Sequence, residues 1–326
     1  MTKNRTPAPA LVADIGGSNA RFALVDLESL ELSEIKQYVC SDHEGIASAA
    51  EFYLKGLKEV PRQGAMAVAG PITGEKIKIT NSAWIFAAEE ARRAARLDDI
   101  LILNDFEALA VSLPHLRADE LQRIGGGDPV PHAAKVVLGP GTGVGVAGLV
   151  WSGSAWIAVP GEGGHITLSA HTPREFELIE RLRPGRDHLS ADRVLSGPGV
   201  VNLYRAIADS HGRRAEPLQP NDVLIRGLAG SDPIAVEALA MLVAWLGGFA
   251  GDAALLFGAR GGVYLGGAIA RKIVRVLSAG EFRQAFEAKG RMRSYLAPIP
   301  VSVILAEFST LRGAAVALRA KLAAGD

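Results

Sequence analysis

Short apolar runs and longer segments of helical pattern alternate along the chain. Runs rich in β-forming residues predict strands at 11–15, 20–25, 65–68, 100–103, 135–138 and 146–151. Candidate helices lie at 46–59, 87–96, 270–277 and 311–322. Alternating strands and helices are typical of sheets covered by helices, so the pattern predicts an α/β protein.

Glycine-rich turns join two of the predicted strand pairs. Gly16–Asn19 separates the first pair, and Gly139–Gly145 separates the second. A Rossmann fingerprint requires a helix after its glycines, whereas an apolar strand follows the glycines here. Two such hairpins, one in each half of the chain, predict two related α/β domains, with a loop at 125–131 near the start of the second.

Composition and charge narrow the class of protein. A chain of 326 residues is longer than one core usually fills, which also favours two domains. The 35 basic and 35 acidic residues cancel, so neither nucleic acid nor an anionic membrane is an expected partner. The lone Cys40 can form neither an intrachain disulfide nor a structural zinc site. No signal peptide is visible and the uncharged stretch 238–251 is too short to span a bilayer, so a cytoplasmic protein is expected.

The first glycine turn stands next to a carboxylate. Backbone N–H groups of glycine can approach an anion closely and form a nest for phosphate oxygens. Asp14, at the end of the preceding strand, can hold Mg²⁺ through its hydration shell. The alternative is an ordinary hairpin turn, which favours the same residue types.

Two further glycine segments are candidates for nucleotide binding. Gly139–Gly145 contains four glycines around Thr142, more than a hairpin needs, since a glycine inside regular structure costs about 0.5–1 kcal/mol. It therefore predicts a second phosphate cradle, with a mobile loop as the alternative. Val263–Ile269 is an apolar strand that turns through two glycines, where an adenine could lie against the backbone, although tight packing explains it equally well.

Polar residues follow the predicted strand 100–103 and the turn at Pro160. Asn104 and Asp105 come at a strand's carboxyl end, where α/β proteins collect ligands, but both residues also cap helices well. Glu162 and His165 lie on a glycine-rich backbone and can converge on neighbouring hydroxyl groups. A metal site would need further ligands at suitable spacing, and none is nearby.

In this order, the segments closely resemble the bacterial glucokinases of the hexokinase, actin and heat-shock ATPase superfamily. The resemblance covers all but the first ten residues. Its matching stretches are DIGGSNARFAL from Asp14, AGPITGEKIKITNSAW from Ala69, LNDFEALA from Leu103, GPGTGVGVA from Gly139, PGEGGHI from Pro160, SADRVLSGPGVVNLYRA from Ser190 and GGVYLGGAI from Gly261. LNDF, PGEGGH and RVLSGPG in succession are highly specific.

The resemblance implies a fold and an activity. The fold would be two RNase H-like, actin-like ATPase domains flanking a deep cleft. The smaller domain would be 1–112 completed by 307–326, and the larger 113–306. The activity would be transfer of the γ-phosphoryl group of ATP to the 6-hydroxyl of D-glucose, with Mg²⁺, at the entry to glycolysis. A homodimer is also implied.

The resemblance further implies roles for individual residues. Asp105 would be the general base, and the sugar would be held by Asn104, Asp105, Glu162, His165 and Asp192. The nucleotide would be held by Ala13, Asp14, Ile15, Gly16, Gly17, Ser18, Asn19, Gly141, Thr142, Gly143, Gly266 and Gly267, with Asp14 reaching Mg²⁺ through water. Asp192 stands where the family usually has a glutamate, so its reach is one methylene shorter. Phe308–Gly313 also departs from the family's usual turn.

Other functions are open to the same fold. A sugar-responsive regulator would carry a helix-turn-helix domain, for which the residues before Leu11 leave no room. Repressor–ORF–kinase sugar kinases typically carry a cysteine-rich zinc motif, which Cys40 alone cannot form. Among kinases, the substrate could instead be mannose, fructose or an amino sugar, and the donor could be ADP or polyphosphate.

Overall fold

The computed structural model describes residues 9–185 and 187–325. The chain forms two compact units. The first consists of two segments, one up to Leu116 and one from Ala306 onward, and the second is Arg117–Leu305. Each unit has its own main sheet and its own hydrophobic packing, with two core clusters in the first unit and one in the second.

The strands and helices are numbered in chain order. The strands are β1 Ala10–Ile15, β2 Asn19–Val25, β3 Leu32–Val39, β4 Gln63–Val68, β5 Lys76–Lys78, β6 Ile85–Ala87, β7 Asp99–Asn104, β8 Leu121–Gly125, β9 Lys135–Pro140, β10 Val144–Trp151, β11 Trp156–Gly161, β12 Val263–Leu265 and β13 Val301–Ile304. The helices are α1 Ile46–Lys55, α2 Ala88–Ala94, α3 Asp105–Ser112, α4 Pro173–Leu182, α5 Asp192–Leu195, α6 Gly197–Ser210, α7 Pro220–Ala229, α8 Pro233–Phe257, α9 Ala268–Lys272, α10 Val274–Leu277, α11 Glu281–Glu287, α12 Arg293–Leu296 and α13 Ser309–Ala324.

The first unit is built on a five-stranded sheet in the order β3-β2-β1-β4-β7. β1, β4 and β7 are parallel, and β2 and β3 are antiparallel additions at one side. Alternate residues of β1 enter two different cores: Leu11 and Ala13 pack with residues of α1, and Val12 packs with residues of α3 and α13. β1 is thus covered on both faces, which explains why its sequence is apolar apart from Asp14.

The second unit is built on a six-stranded sheet in the order β11-β10-β9-β12-β13-β8. β9, β12 and β13 are parallel, and β10, β11 and β8 are antiparallel to their neighbours. The strands and helices therefore confirm the predicted α/β class in both units.

The longest helix, α8, differs from the sequence expectation. The stretch 238–251 was predicted to be too short for a membrane span, but the helix around it covers Pro233–Phe257. Among the described residues, α8 is the one helix whose length and mean hydropathy of 1.8 would allow it to cross a bilayer. Its most apolar window is 72% buried inside the second unit, as in a core helix.

Most predicted elements are confirmed, and all four predicted helices differ at their ends. The helix predicted at 311–322 is Ser309–Ala324. The helix predicted at 46–59 ends at Lys55, where Gly56 closes a turn by donating its N–H to Tyr53 O at 3.1 Å. The helix predicted at 87–96 is Ala88–Ala94. The helix predicted at 270–277 begins at Ala268 and is divided by the non-helical backbone of Ile273.

Candidate active site

The first glycine turn joins β1 to β2, as predicted. Gly16 N donates to Asn19 O at 2.9 Å, which closes the turn. Gly17 lies against another part of the first unit, because a Cβ there would be 2.7 Å from Thr80 O. A side chain at position 17 would therefore displace the backbone around Thr80, so packing by itself requires this glycine.

Asp14 is paired across the hairpin with an arginine that the sequence analysis missed. Arg21 stands opposite Asp14 in the β1–β2 register, and its Nη1 donates to Asp14 Oδ2 at 2.9 Å. Arg21 Nε also donates to Gln37 Oε1 at 2.9 Å, and Gln37 Nε2 donates to Asn19 Oδ1 at 3.2 Å. Burial raises the pKa of the Asp14 carboxyl, and the adjacent Arg21 guanidinium acts in the opposite direction. In a hairpin with a four-residue turn at 16–19, residue 14 lies opposite residue 21, so the sequence could have revealed this pair.

The residues around Asp14 fit only one kind of magnesium site. Arg21 occupies Asp14 Oδ2, so Oδ1 is the carboxylate oxygen left to meet a hydrated ion. Over residues 9–185 and 187–325, no group of three or more His, Cys, Asp or Glu side chains could hold a metal. Mg²⁺ commonly takes one or two carboxylates together with substrate phosphates and water. The donor set therefore suits an ion that arrives with a phosphate-bearing ligand.

Asn104 caps α3, the helix that begins at Asp105. Asn104 Oδ1 accepts from Phe106 N at 2.9 Å and from Glu107 N at 3.2 Å, and Glu107 Oε2 accepts from Asn104 N at 3.3 Å. Asn104 Nδ2 donates to Gly70 O at 3.2 Å. Asn104 is therefore the N-cap of α3, which is the alternative role that the sequence left open. Asp105 consequently lies in the first turn of α3, where a helix favours negative charge.

The two predicted groups of the first unit meet at one edge of its sheet. Ile15 pairs with Val68, and Val68 pairs with Asn104, so the carboxyl ends of β1, β4 and β7 lie side by side. The first glycine turn follows β1, and Asp105 follows β7. In parallel sheets this edge is where ligands are usually bound.

In the second unit, two predicted nucleotide segments touch each other. A Cβ at Gly139 would lie 2.1 Å from Gly266 O, and one at Gly267 would lie 2.5 Å from Pro140 O. Gly267 also has φ +91°, a conformation that side chains rarely adopt. β9 and β12 are parallel neighbours, so both glycine segments lie at the carboxyl edge of this sheet. Close packing therefore accounts for Gly139 and Gly267.

The turn Gly141–Gly143, which we call the second glycine turn, joins β9 to β10 as predicted. Gly141 N donates to Gly143 O at 2.7 Å. Its flanks are held by the segment that leads into α6: Gly197 N donates to Gly141 O at 2.8 Å, and Asp192 Oδ1 accepts from Val144 N at 2.8 Å. Asp192, predicted as a sugar ligand, thus has one carboxylate oxygen on the glycine turn.

Glu162 and His165 do converge. His165 Nε2 lies 3.9 Å from Glu162 Oε2 across a short 3₁₀ turn, Gly163–His165. Both side chains are more than half exposed. Gly164 is pressed against the start of β10, since a Cβ there would be 2.0 Å from Val144 O. The loop that carries this polar pair is therefore fixed against the strand that begins at Val144.

The predicted site residues thus form one group in each unit. The first unit brings together Asp14, the first glycine turn, Asn104 and Asp105. The second unit groups the second glycine turn with Gly266–Gly267 on one side and with Asp192 and the Glu162–His165 loop on the other. Carboxylates beside backbone N–H groups of glycine turns are suited to acid–base chemistry on a phosphate-bearing substrate.

Known proteins are similar to this chain over nearly its whole length. The model of the family described as Glucokinase matches residues 11–321. The glucokinase of Aromatoleum aromaticum is 44% identical over 318 residues, which are 97% of this chain and 96% of that protein. The glucokinase of Cronobacter sakazakii is 40% identical over 96% of this chain and 98% of that protein.

Solved structures of glucokinases have the same fold as this chain. The glucokinase of an Antarctic psychrotroph superposes with a TM-score of 0.81 at 34% identity, over 96% of this chain and 99% of that one. A glucokinase of the repressor–ORF–kinase family from Streptomyces griseus has the same fold, with a TM-score of 0.68 at 19% identity over 94% of this chain and 98% of that one. These matches confirm the predicted two-domain, actin-like ATPase fold and the predicted resemblance. The chain belongs to the glucokinase family, and it is a kinase that phosphorylates glucose.

Proposed function

We propose that the chain transfers the γ-phosphoryl group of ATP to the 6-hydroxyl of D-glucose, yielding glucose 6-phosphate and ADP, and that Asp105 is the general base. The observation that carries this proposal is the position of Asp105 in the first turn of α3, at the sheet edge that also bears the first glycine turn. The Streptomyces griseus structure contains glucose and AMPPNP, and a fold neighbour from Balamuthia mandrillaris contains glucose. Both ligands match the proposed reaction.

Asp105 supplies what a sugar hydroxyl lacks at neutral pH. An alcohol is a weak nucleophile, and a carboxylate within hydrogen-bond reach accepts its proton as transfer proceeds. The hydroxyl oxygen then bonds to the γ-phosphorus, and the bond from that phosphorus to the bridging oxygen breaks with its electron pair on ADP. Phe106 N donates to Asp105 Oδ1 at 3.0 Å and so orients the carboxylate.

The nucleotide is assigned to the three glycine segments. Phosphoryl transfer depends on positioning and on neutralisation of charge, which backbone N–H groups of residues 13–19, including the first glycine turn, and of Gly141–Gly143 provide. Bound Mg²⁺ would neutralise phosphate charge, with Asp14 Oδ1 holding it through water. Arg21 adds a fixed positive charge beside Asp14. The adenine is assigned to the backbone of Gly266 and Gly267.

The sugar is assigned to Asn104, Glu162, His165 and Asp192 together with Asp105. Asn104 uses one amide hydrogen on Gly70 O, which leaves its second amide hydrogen for a sugar hydroxyl. Glu162 and His165 present exposed polar atoms within 3.9 Å of each other, a spacing suited to adjacent hydroxyl groups. The homodimer stays a prediction from the resemblance, and the cytoplasmic location stays a prediction from the sequence pattern.

Steady-state kinetics of Asp105→Asn test the general base. Loss of the base is expected to lower kcat by about 10²–10⁴-fold while the KM for glucose changes little, because proton acceptance matters in the transition state. Asp98→Asn, at an exposed ion pair with Arg62 in the same unit, is the matched control. Undiminished kcat in Asp105→Asn would remove Asp105 from this role.

Substrate panels test the rest of the reaction. ADP release is measured with glucose, mannose, fructose and an amino sugar as acceptors, and product formation is measured with ATP, ADP and polyphosphate as donors. The proposal expects the highest kcat/KM with glucose and ATP. A higher value with another sugar or another donor would contradict it.

A further inference from the structure

Asp192 connects two distant parts of the second unit. Its Oδ1 accepts a hydrogen bond from Val144 N at 2.8 Å, across 48 residues of sequence. Val144 is the first residue of β10, directly after the second glycine turn, and Asp192 is the first residue of α5. The carboxylate therefore fixes the point at which the turn re-enters the sheet.

The carboxylate also lies against the turn itself. A Cβ at Gly143 would be 2.8 Å from Asp192 Oδ1, so the oxygen occupies space that any larger residue at 143 would need. On the other flank, Gly197 N donates to Gly141 O at 2.8 Å. The α5–α6 segment thus holds both flanks of the turn, one through a backbone N–H and one through the side chain of Asp192.

A turn with two glycines needs such restraints to hold one shape. Glycine loses more conformational freedom on ordering than any other residue, so a turn without restraints populates many conformations. A hydrogen bond from a backbone N–H to a carboxylate is stronger than one to a neutral acceptor. A turn held in one conformation binds its ligand without having to be ordered first.

We propose that Asp192 is a positioning residue that holds the second glycine turn in its phosphate-binding conformation, so that it acts on nucleotide affinity through Oδ1. The inference rests on the proposed function, in which Gly141–Gly143 receives nucleotide phosphates. It leaves at most Oδ2 of Asp192 for the sugar.

Charge and geometry can be separated at this position. Asp192→Asn removes the charge but keeps an oxygen at the same distance from the backbone, so it can still accept from Val144 N. Asp192→Glu keeps the charge but moves it one methylene further, into the space beside Gly143. Asp192→Ala removes both the charge and the acceptor. Asp128→Asn, at an Asp that is 94% exposed in the same unit, is the matched control.

Two measurements are made on each variant. The first is the pair of KM values, for ATP and for glucose. The second is hydrogen exchange of the Val144 amide without substrates, which reports the restraint directly. Asp192→Ala and Asp192→Glu are expected to raise the KM for ATP about tenfold, consistent with loss of a charged hydrogen bond. Both should also accelerate exchange at Val144, whereas Asp192→Asn should keep the ATP KM within about twofold and the exchange slow.

A different pattern would overturn the inference. If Asp192→Asn and Asp192→Ala raise the KM for glucose equally while the ATP KM and the Val144 exchange stay unchanged, Asp192 is a sugar ligand and not a positioning residue. Where Asp192→Ala does not fold, the Asn and Glu variants decide whether Asp192 is a positioning residue or only a sugar ligand. Failure of the proposed function is distinguishable, because the wild-type enzyme would then not phosphorylate glucose with ATP.

Discussion

Asp14 and Arg21 face each other across the β1–β2 hairpin, with 2.9 Å between Asp14 Oδ2 and Arg21 Nη1. The pair places a fixed cation beside the carboxylate that is proposed to meet hydrated magnesium. It also ties that carboxylate through Gln37 to Asn19 at the far end of the first glycine turn. The turn and its carboxylate are therefore one connected hydrogen-bonded group.

Removal of Arg21 should make nucleotide binding more sensitive to acid. Burial already raises the pKa of Asp14, and Arg21 opposes this, so Arg21→Ala should raise that pKa further. A raised pKa means that the carboxylate becomes protonated at a higher pH as the solution is acidified. The acid limb of kcat/KM for MgATP should therefore move to higher pH in Arg21→Ala and move less in Arg21→Lys. An unmoved limb in both variants would separate Asp14 from nucleotide binding.

Two adjacent glycines of α8 should respond in opposite ways to the same substitution. A Cβ at Gly247 would lie 2.3 Å from Phe282 O, where α11 crosses, whereas a Cβ at Gly248 would meet no atom within 4 Å. Gly247→Ala should lower the free energy of unfolding by about 1–3 kcal/mol through overpacking. Gly248→Ala should raise it by about 0.5–1 kcal/mol through helix propensity. Urea unfolding measures both, and equal shifts would show that α8 and α11 do not pack this closely.

The buried hydroxyl of Tyr204 should contribute to stability. It donates to Asp232 Oδ2 at 2.9 Å, and Asp232 in turn caps α8 through Oδ1. Burial, together with this hydrogen bond, raises the pKa of Tyr204 to about 12. Tyr204→Phe leaves the carboxylate with one donor fewer and should lower the free energy of unfolding by about 1.5–3 kcal/mol. Tyr295→Phe is the control, since no hydrogen bond of its hydroxyl is seen in the described part of the chain. Denaturant unfolding measures both variants, and an equal loss of unfolding free energy in the two would argue against the Tyr204–Asp232 hydrogen bond.

Glu162 should act on sugar affinity with little effect on nucleotide affinity. Its side chain is 55% exposed and meets His165 at 3.9 Å, so its removal should leave folding unchanged. Glu162→Ala should raise the KM for glucose by roughly tenfold, as expected for loss of a hydrogen bond to a charged group. The KM for ATP should stay constant. Glu180→Ala, at another exposed glutamate of the second unit, is the control, and an equal rise in both KM values would contradict the assignment.

Local sequence was enough to predict the two hairpins and to identify the family. The β-forming runs on either side of Gly16–Asn19 and of Gly139–Gly145 are contiguous with their turns, so strand, turn and strand could be predicted without knowledge of distant contacts. Asn104 and Asp105 were also located correctly at the end of β7. The choice between a cap and a ligand site could not be made from the sequence, because a strand end and a helix start occupy the same residues.

Tertiary structure decided which residues meet. The contacts between Asp192 and Val144, and between Gly139 and Gly266, join segments that are far apart in sequence, and no local pattern encodes such distances. Only packing showed that α8, apolar enough for a membrane, is a core helix. The sequence by itself determined the turns, the chemistry available and the family, since these depend on neighbouring residues. The fold decided the partner of each carboxylate, because hydrogen bonds between distant segments form only after the sheets have brought those segments together.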